Sequence, residues 1–176
     1  QLAQLRRLGQ ADAQLDIYAS PEQLAVYGES LDLPQVTLKQ WVPMHELPQI
    51  FAASDLVVHV ESSQADVAAL TRFSLSTKIS QYMMASRGIL AIGPPQLASM
   101  QVIEQAGAGV VVPDLSTPSN QAQLAEFLSD DDLRRQCGLQ GHAWASRWCG
   151  TARRADFAAC LAEAAQRDPA TLRAAA

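Results

Sequence analysis

Short apolar runs alternate with stretches of helical spacing along most of the chain. Residues 1 to 9 predict a helix ending near Gly9, and residues 14 to 19 (QLDIYA) predict a strand. Ser20 followed by Pro21 is a helix start, because a proline ring is preset for the first helical turn. Residues 35 to 39 predict a short β-branched strand, and 44 to 53 a short helix. The run DLVVHVES, 55 to 62, is almost wholly apolar and predicts a strand buried on both faces. A polar segment without regular spacing follows over 62 to 75. Helical spacing returns over 76 to 86, with Ile79, Tyr82 and Met83 on one stripe. GILAIG, 88 to 93, predicts a second buried strand ended by Pro94 and Pro95. Residues 97 to 106 predict a helix stopped by Gly107, and 109 to 113 (GVVVP) a strand. Beyond these come three helical stretches, 119 to 129, 130 to 147 and 151 to 167.

Strand and helix in alternation, joined by short links, predict an α/β fold with a parallel sheet, helices on both faces and a helical C-terminus. Ligands of such sheets bind at the carboxyl ends of the strands. The segment 62 to 75 leaves such an end and is the longest irregular stretch between elements, so it is the first place to look for chemistry.

Composition narrows the classes. The 176 residues carry a net charge of −5, which argues against a dedicated nucleic-acid binder, whose surface needs a basic face. The three cysteines, Cys137, Cys149 and Cys160, are odd in number and lack zinc-ligand spacing; neither a disulfide framework nor a metal site is expected, and a reducing compartment suits them. No apolar run reaches the roughly 18 residues of a membrane span. The first residues lack an initiator methionine and a signal-peptide core, and read as if the chain began in mid-helix.

Only two of the thirteen basic residues are lysines, and one of them, Lys78, stands at a predicted helix start behind Ser74, Ser76 and Thr77. Two readings compete. Ser76 is a plain N-cap; or the first helical amides, which lack intrahelical partners, combine with hydroxyls and the ammonium group to hold a diphosphate. Capping accounts for the hydroxyl but not for the lysine, since a cation at a helix N-terminus is disfavoured by about 0.3–1 kcal/mol. Elsewhere, His45 reads as a surface or capping residue, His59 as a hydrogen-bonded core histidine, and His142 has no evident partner. The three have no metal-ligand spacing. Trp144 and Trp148 form a packing stripe. Glu61 and Asp66 are a candidate carboxylate pair. No GxGxxG or Walker pattern occurs.

Four segments in order, VTLKQWVPMHELPQIFAASDLVVHVES, FSLSTKISQYMMASRGILAIGP, VIEQAGAGVVV and LAEFLSDDDLRRQC, together resemble the carboxyl-terminal, nucleotide-sugar-binding lobe of a GT-B fold glycosyltransferase, in the retaining group 1 (GT4-like) set. The resemblance covers about residues 14 to 165. It implies one Rossmann-like lobe over residues 1 to 176, a fragment whose N-terminal acceptor lobe lies upstream. It implies that Ser76, Thr77 and Lys78 meet the diphosphate without a metal, that Trp41 and Val42 after Gln40 wall the base, and that Gln81 takes the place of a ribose-binding glutamate. Glu61 is added as a substrate-binding candidate. Relatives often carry a second glutamate where Phe73 stands here, and a proline where Gly88 stands.

The expected function is therefore retaining transfer of a sugar from a nucleotide-diphospho-sugar donor, which is a substrate; no cofactor is implied. The expected partners are that donor and the missing lobe, through which peripheral membrane association would arise, and the expected location is cytoplasmic. The alternatives are a catalytically inactive binding or assembly protein of the same fold, a GT-B sugar-nucleotide epimerase lobe, and a flavodoxin-like regulatory domain.

Overall fold

The computed structural model describes residues 13–148 and 153–166; the predicted helix over 1 to 9 lies outside them. Five strands and eight helices follow in chain order: β1 (Leu15–Ala19), α1 (Pro21–Leu31), β2 (Val36–Gln40), α2 (Leu47–Ala53), β3 (Leu56–Val60), α3 (Ala65–Thr71), α4 (Thr77–Met84), β4 (Gly88–Ile92), α5 (Ala98–Gln105), β5 (Gly109–Val112), α6 (Pro118–Ser129), α7 (Asp131–Trp148) and α8 (Arg154–Gln166). All strand pairings are parallel, as expected of a Rossmann-like α/β fold. The strands divide into two sheets, β1–β2 and β3–β4–β5. The caps explain several boundaries. Ser20 accepts from the Gln23 amide while the Gln23 side chain accepts from the Ser20 amide, a complete capping box ahead of Pro21. Gly107, at φ +59, turns the chain out of α5 in a conformation that side chains resist.

The core is built around β4, whose five residues are all buried. Alternation along the strand sends Ile89 and Ala91 to one face and Leu90 and Ile92 to the other. The first pair joins Ile79 and Met83 of α4 with Met100 and Ile103 of α5. The second joins Val112, Leu115, Leu124, Phe127 and Cys137. Helices therefore cover both faces, and the stripe Ile79, Tyr82 and Met83 is buried as its spacing predicts.

Two expectations need correction. β3 is not buried on both faces: Val57 and His59 point inward, but Val60 at its end is 53% exposed. β3 pairs only with β4, and a strand at a sheet edge lacks the second neighbour that would cover it. The segment 62 to 75 is not wholly irregular either. It contains the two-turn helix α3, whose residues VAAL suit a helix although they are too few to show a period.

α7 lies across the amino ends of β4 and β5. It passes the residues just before β4 and β5 so closely that a Cβ on Gly138 would overlap the Ser86 carbonyl oxygen, and one on Gly141 would lie 2.9 Å from the Ala108 Cβ. Gly88 is confined in the same way, since a Cβ there would meet the Arg134 carbonyl oxygen at 2.9 Å. The amino ends of β4 and β5 are thus covered by a helix, and their carboxyl ends run into short connections. Gly138→Ala should lower stability by about 1–3 kcal/mol, because the intruding methyl meets backbone rather than a movable side chain. Chemical denaturation would measure this; an unchanged midpoint would mean that α7 can lift from the turn at Ser86 without loss.

Candidate functional site

The N-terminus of α4 is uncapped. Ser76 occupies the N-cap position with extended backbone, yet its hydroxyl makes no hydrogen bond to the helix. The capping reading of this serine is therefore not what the structure adopts. The Ser76 amide is itself occupied: it donates to Ser99 Oγ at 3.2 Å, and Ser99 Oγ donates in turn to the Ser74 carbonyl at 3.2 Å. Ser99 is fully buried in the first turn of α5. One hydroxyl thereby fixes both sides of the turn that delivers the chain into α4. The Ala98 amide adds a bond to the Arg72 carbonyl at 2.9 Å. The amides left for a ligand are those of Thr77 and Lys78, which as first-turn groups have no intrahelical acceptor.

The two lysines have different fates. Lys39 bonds to Asp16 across β1 and β2 at 2.5 Å. Lys78 is exposed and forms no ion pair among the described residues. Gln81 lies on the same side of α4, one turn on, and its side chain has no protein partner among the described residues. The positive end of the α4 dipole and the free ammonium group together favour an anion.

Across the strand end stands a second pair. His59 and Glu61 are two apart on an extended chain and so share a face. His59 Nε2 lies 3.0 Å from Glu61 Oε1, with side chains only 8% and 18% exposed. Burial pushes the His59 pKa below its ordinary 6.5; the Glu61 carboxylate opposes this, and the charge of Lys78 adds to it. The imidazole is accordingly neutral at pH 7 and donates Nε2–H to an ionised carboxylate, which can only accept. His59 is the hydrogen-bonded core histidine its position suggests. Its partner is Glu61; Asp66, the other member of the candidate carboxylate pair, sits exposed in the first turn of α3.

Ser76, Thr77 and Lys78 open α4, with Gln81 one turn on; Ser76 is tied to Ser99 after β4, and Glu61 follows β3 with its amide bonded to Ile92 at the end of β4. Trp41 and Val42 follow the carboxyl end of β2 in the other sheet; Trp41 is 64% exposed and its amide donates to the Ala19 carbonyl at 2.9 Å. Phe73 is exposed with Arg72 over its ring at 5.2 Å. Among the described residues no cluster has the makings of a metal site, and no helix is long and apolar enough to cross a membrane. Two cavities are present, about 340 Å³ between β1 and α1 and about 280 Å³ between α4 and α7, the second lined by Leu75, Ile79, Met83, Trp144 and Trp148; neither is lined by Lys78 or Glu61. Cys137 and Cys160 are free thiols; Cys149 lies outside the described residues. Sequence reading missed Ser99, 23 residues from Ser76, since nothing local marks it.

No protein-family model matches the chain, and no curated protein matches it. Seven chains of solved structures do. One is WaaG, a glycosyltransferase involved in lipopolysaccharide biosynthesis, which superposes with a TM-score of 0.55 over 76% of this chain at 17% identity. The match covers 34% of the WaaG chain, so this chain spans about a third of that protein's length. At that identity the likeness is one of fold: a Rossmann-like α/β arrangement shared with part of a glycosyltransferase.

Two outcomes follow from this geometry. Ser99→Ala removes the hydroxyl that serves Ser76 and Ser74, leaving groups whose loss of partners costs about 1–3 kcal/mol. Hydrogen exchange at the Ser76 amide should accelerate, and unchanged exchange would show the turn is held otherwise. Because the folded pKa of His59 is lowered, the unfolded chain binds the extra proton first as pH falls. Stability should therefore be full above about pH 6.5 and decline below it. Denaturant midpoints at about pH 7 and pH 5, in parent and His59→Leu, would reveal the slope and its loss in the variant.

Proposed function

We propose that this chain is the donor-binding lobe of a glycosyltransferase of the retaining, group 1 (GT4-like) kind, taking a nucleotide-diphospho-sugar at the carboxyl edge of the β3–β4–β5 sheet. The observation that carries this reading is the uncapped start of α4. Two first-turn amides and a lysine without an ion pair among the described residues stand at one helix start, which supports binding of a two-phosphate anion there. The segment order resembling GT-B donor lobes and the fold shared with part of WaaG support the same reading.

The chemistry suits the geometry. As the bond from sugar to phosphate breaks, negative charge grows on the departing diphosphate, and fixed donors that are already in place stabilise it without rearranging. In this reading Thr77 and Lys78 supply the amides, the Lys78 ammonium a full charge, and Gln81 a carbonyl oxygen for a ribose hydroxyl. Trp41 and Val42 wall the base, and the acceptor belongs to a second lobe. No metal is needed to neutralise the phosphates, and the work takes place on the cytoplasmic side, where nucleotide sugars are found. Peripheral membrane association would come through that second lobe.

A second reading, a sugar-nucleotide-fold protein that binds or assembles without catalysis, is favoured by one feature. Phe73 and Gln81 stand where retaining relatives place glutamates. Turnover on a panel of sugar nucleotides would separate the two, and would also expose an epimerase.

UDP and GDP, titrated into the 15N-labelled chain, should shift the amides of Thr77 and Lys78. Lys78→Ala should weaken that binding about 10- to 100-fold, the equivalent of a charge-assisted hydrogen bond of about 1.5–3 kcal/mol. Equal binding by the variant would remove the diphosphate from this helix.

A further inference from the structure

The His59–Glu61 pair lies at the end of β3, close enough to the proposed diphosphate site that the charge of Lys78 acts on His59. A carboxylate next to a diphosphate repels it, so its presence at this edge calls for another role. Glu61 is held in the ladder by its amide, which donates to the Ile92 carbonyl at 2.9 Å. Its side chain lies against Gly93, where the absence of a Cβ leaves room: one placed there would come within 3.0 Å of the Glu61 Cβ and 2.9 Å of the Met100 Cε. His59 occupies Oε1 at 3.0 Å. Oε2 has no protein donor among the described residues. One oxygen is therefore used to fix the rotamer, and the other is left as an acceptor just past the end of β3, on a side chain 18% exposed that shares Gly93 with Met100, the neighbour of the Ser99 that holds the start of α4.

An ionised acceptor that repels phosphate is matched by a neutral O–H donor, and a charge-assisted hydrogen bond of that kind is short and selective. A sugar joined to a diphosphate offers such donors next to the phosphate. We propose that Glu61 Oε2 accepts a hydrogen bond from a hydroxyl of the sugar carried on the diphosphate, and that His59 is the positioning residue that aims it. This rests on the reading of α4 as the diphosphate site. A site built to accept from a hydroxyl rejects ligands lacking one far more strongly than an apolar pocket would, so the pair would set donor-sugar specificity. The neutral imidazole suits the task, because a buried histidine both packs in the core and donates one proton without adding charge.

The experiment compares UDP and GDP with UDP-glucose and GDP-mannose by NMR titration of the 176-residue chain and of Glu61→Gln, His59→Leu and His59→Gln. The nucleoside diphosphates should bind all four proteins alike, or slightly more tightly in Glu61→Gln, where repulsion is relieved. The added affinity that the sugar confers should fall about 10-fold or more in Glu61→Gln and His59→Leu. His59→Gln, which keeps an N–H donor of similar reach, should recover most of it, which a purely structural role for His59 would not require. Heteronuclear spectra of each variant establish that it is folded. If the diphosphates bind with dependence on Lys78 but the sugar's contribution is the same in every folded variant, the role of Glu61 and His59 is overturned while the diphosphate site stands. If Glu61→Gln weakens UDP and UDP-glucose equally, Glu61 serves the nucleotide and the sugar assignment is overturned. If neither UDP nor GDP binds the parent, both readings fall together.

Discussion

The described structure depends on the burial of one strand on both faces. β4 has no exposed residue, and its alternating side chains organise two separate cores, one with α4 and α5 and the other with α6 and the first half of α7. Fully burying a large aliphatic side chain contributes about 1.5–3 kcal/mol, so the five-residue strand and the partners it recruits outweigh any single hydrogen bond in the chain. No residue of β1 or β2 is fully buried. That unit is held by its own parallel ladder and by the Lys39–Asp16 ion pair, worth little at its exposure.

Burying β4 has a consequence for where chemistry can occur. α7 lies across the amino ends of β4 and β5, brought close by Gly138 and Gly141, and its packing closes that edge. The carboxyl edge is left to short connections. Ser99 fixes the turn before α4 from the first turn of α5, so the uncapped helix start does not sit on a loose loop. A hydrogen bond buried in the core thus supports an arrangement of exposed amides, and rigidity there is what preorganised anion binding requires.

The electrostatics of the edge are unusual for an acidic chain. Its one lysine without an ion pair among the described residues stands at a helix N-terminus, where a cation is intrinsically disfavoured. Its charge acts on His59, which holds the Glu61 carboxylate. The lysine is placed against its local preference, whereas the carboxylate is satisfied on one oxygen by His59 Nε2.

Periodicity and punctuation alone determined the parallel α/β class, the strand GILAIG, the stripe of Ile79, Tyr82 and Met83, the cap at Ser20 and the stop at Gly107. Each depends on neighbours within a turn or a strand, and local sterics and amphipathicity act at that range. The helix start at Lys78 was legible for the same reason, but whether Ser76 caps it was not, because Ser99 arrives from 23 residues away. α3 was hidden because seven residues are too few for a helical period to show. The half-exposure of β3 was hidden because an apolar run does not say which strands will flank it. Tertiary structure brought the Glu61 carboxylate to His59. A two-residue spacing becomes a shared face only once the chain is extended, and β4 beside it is what keeps it extended.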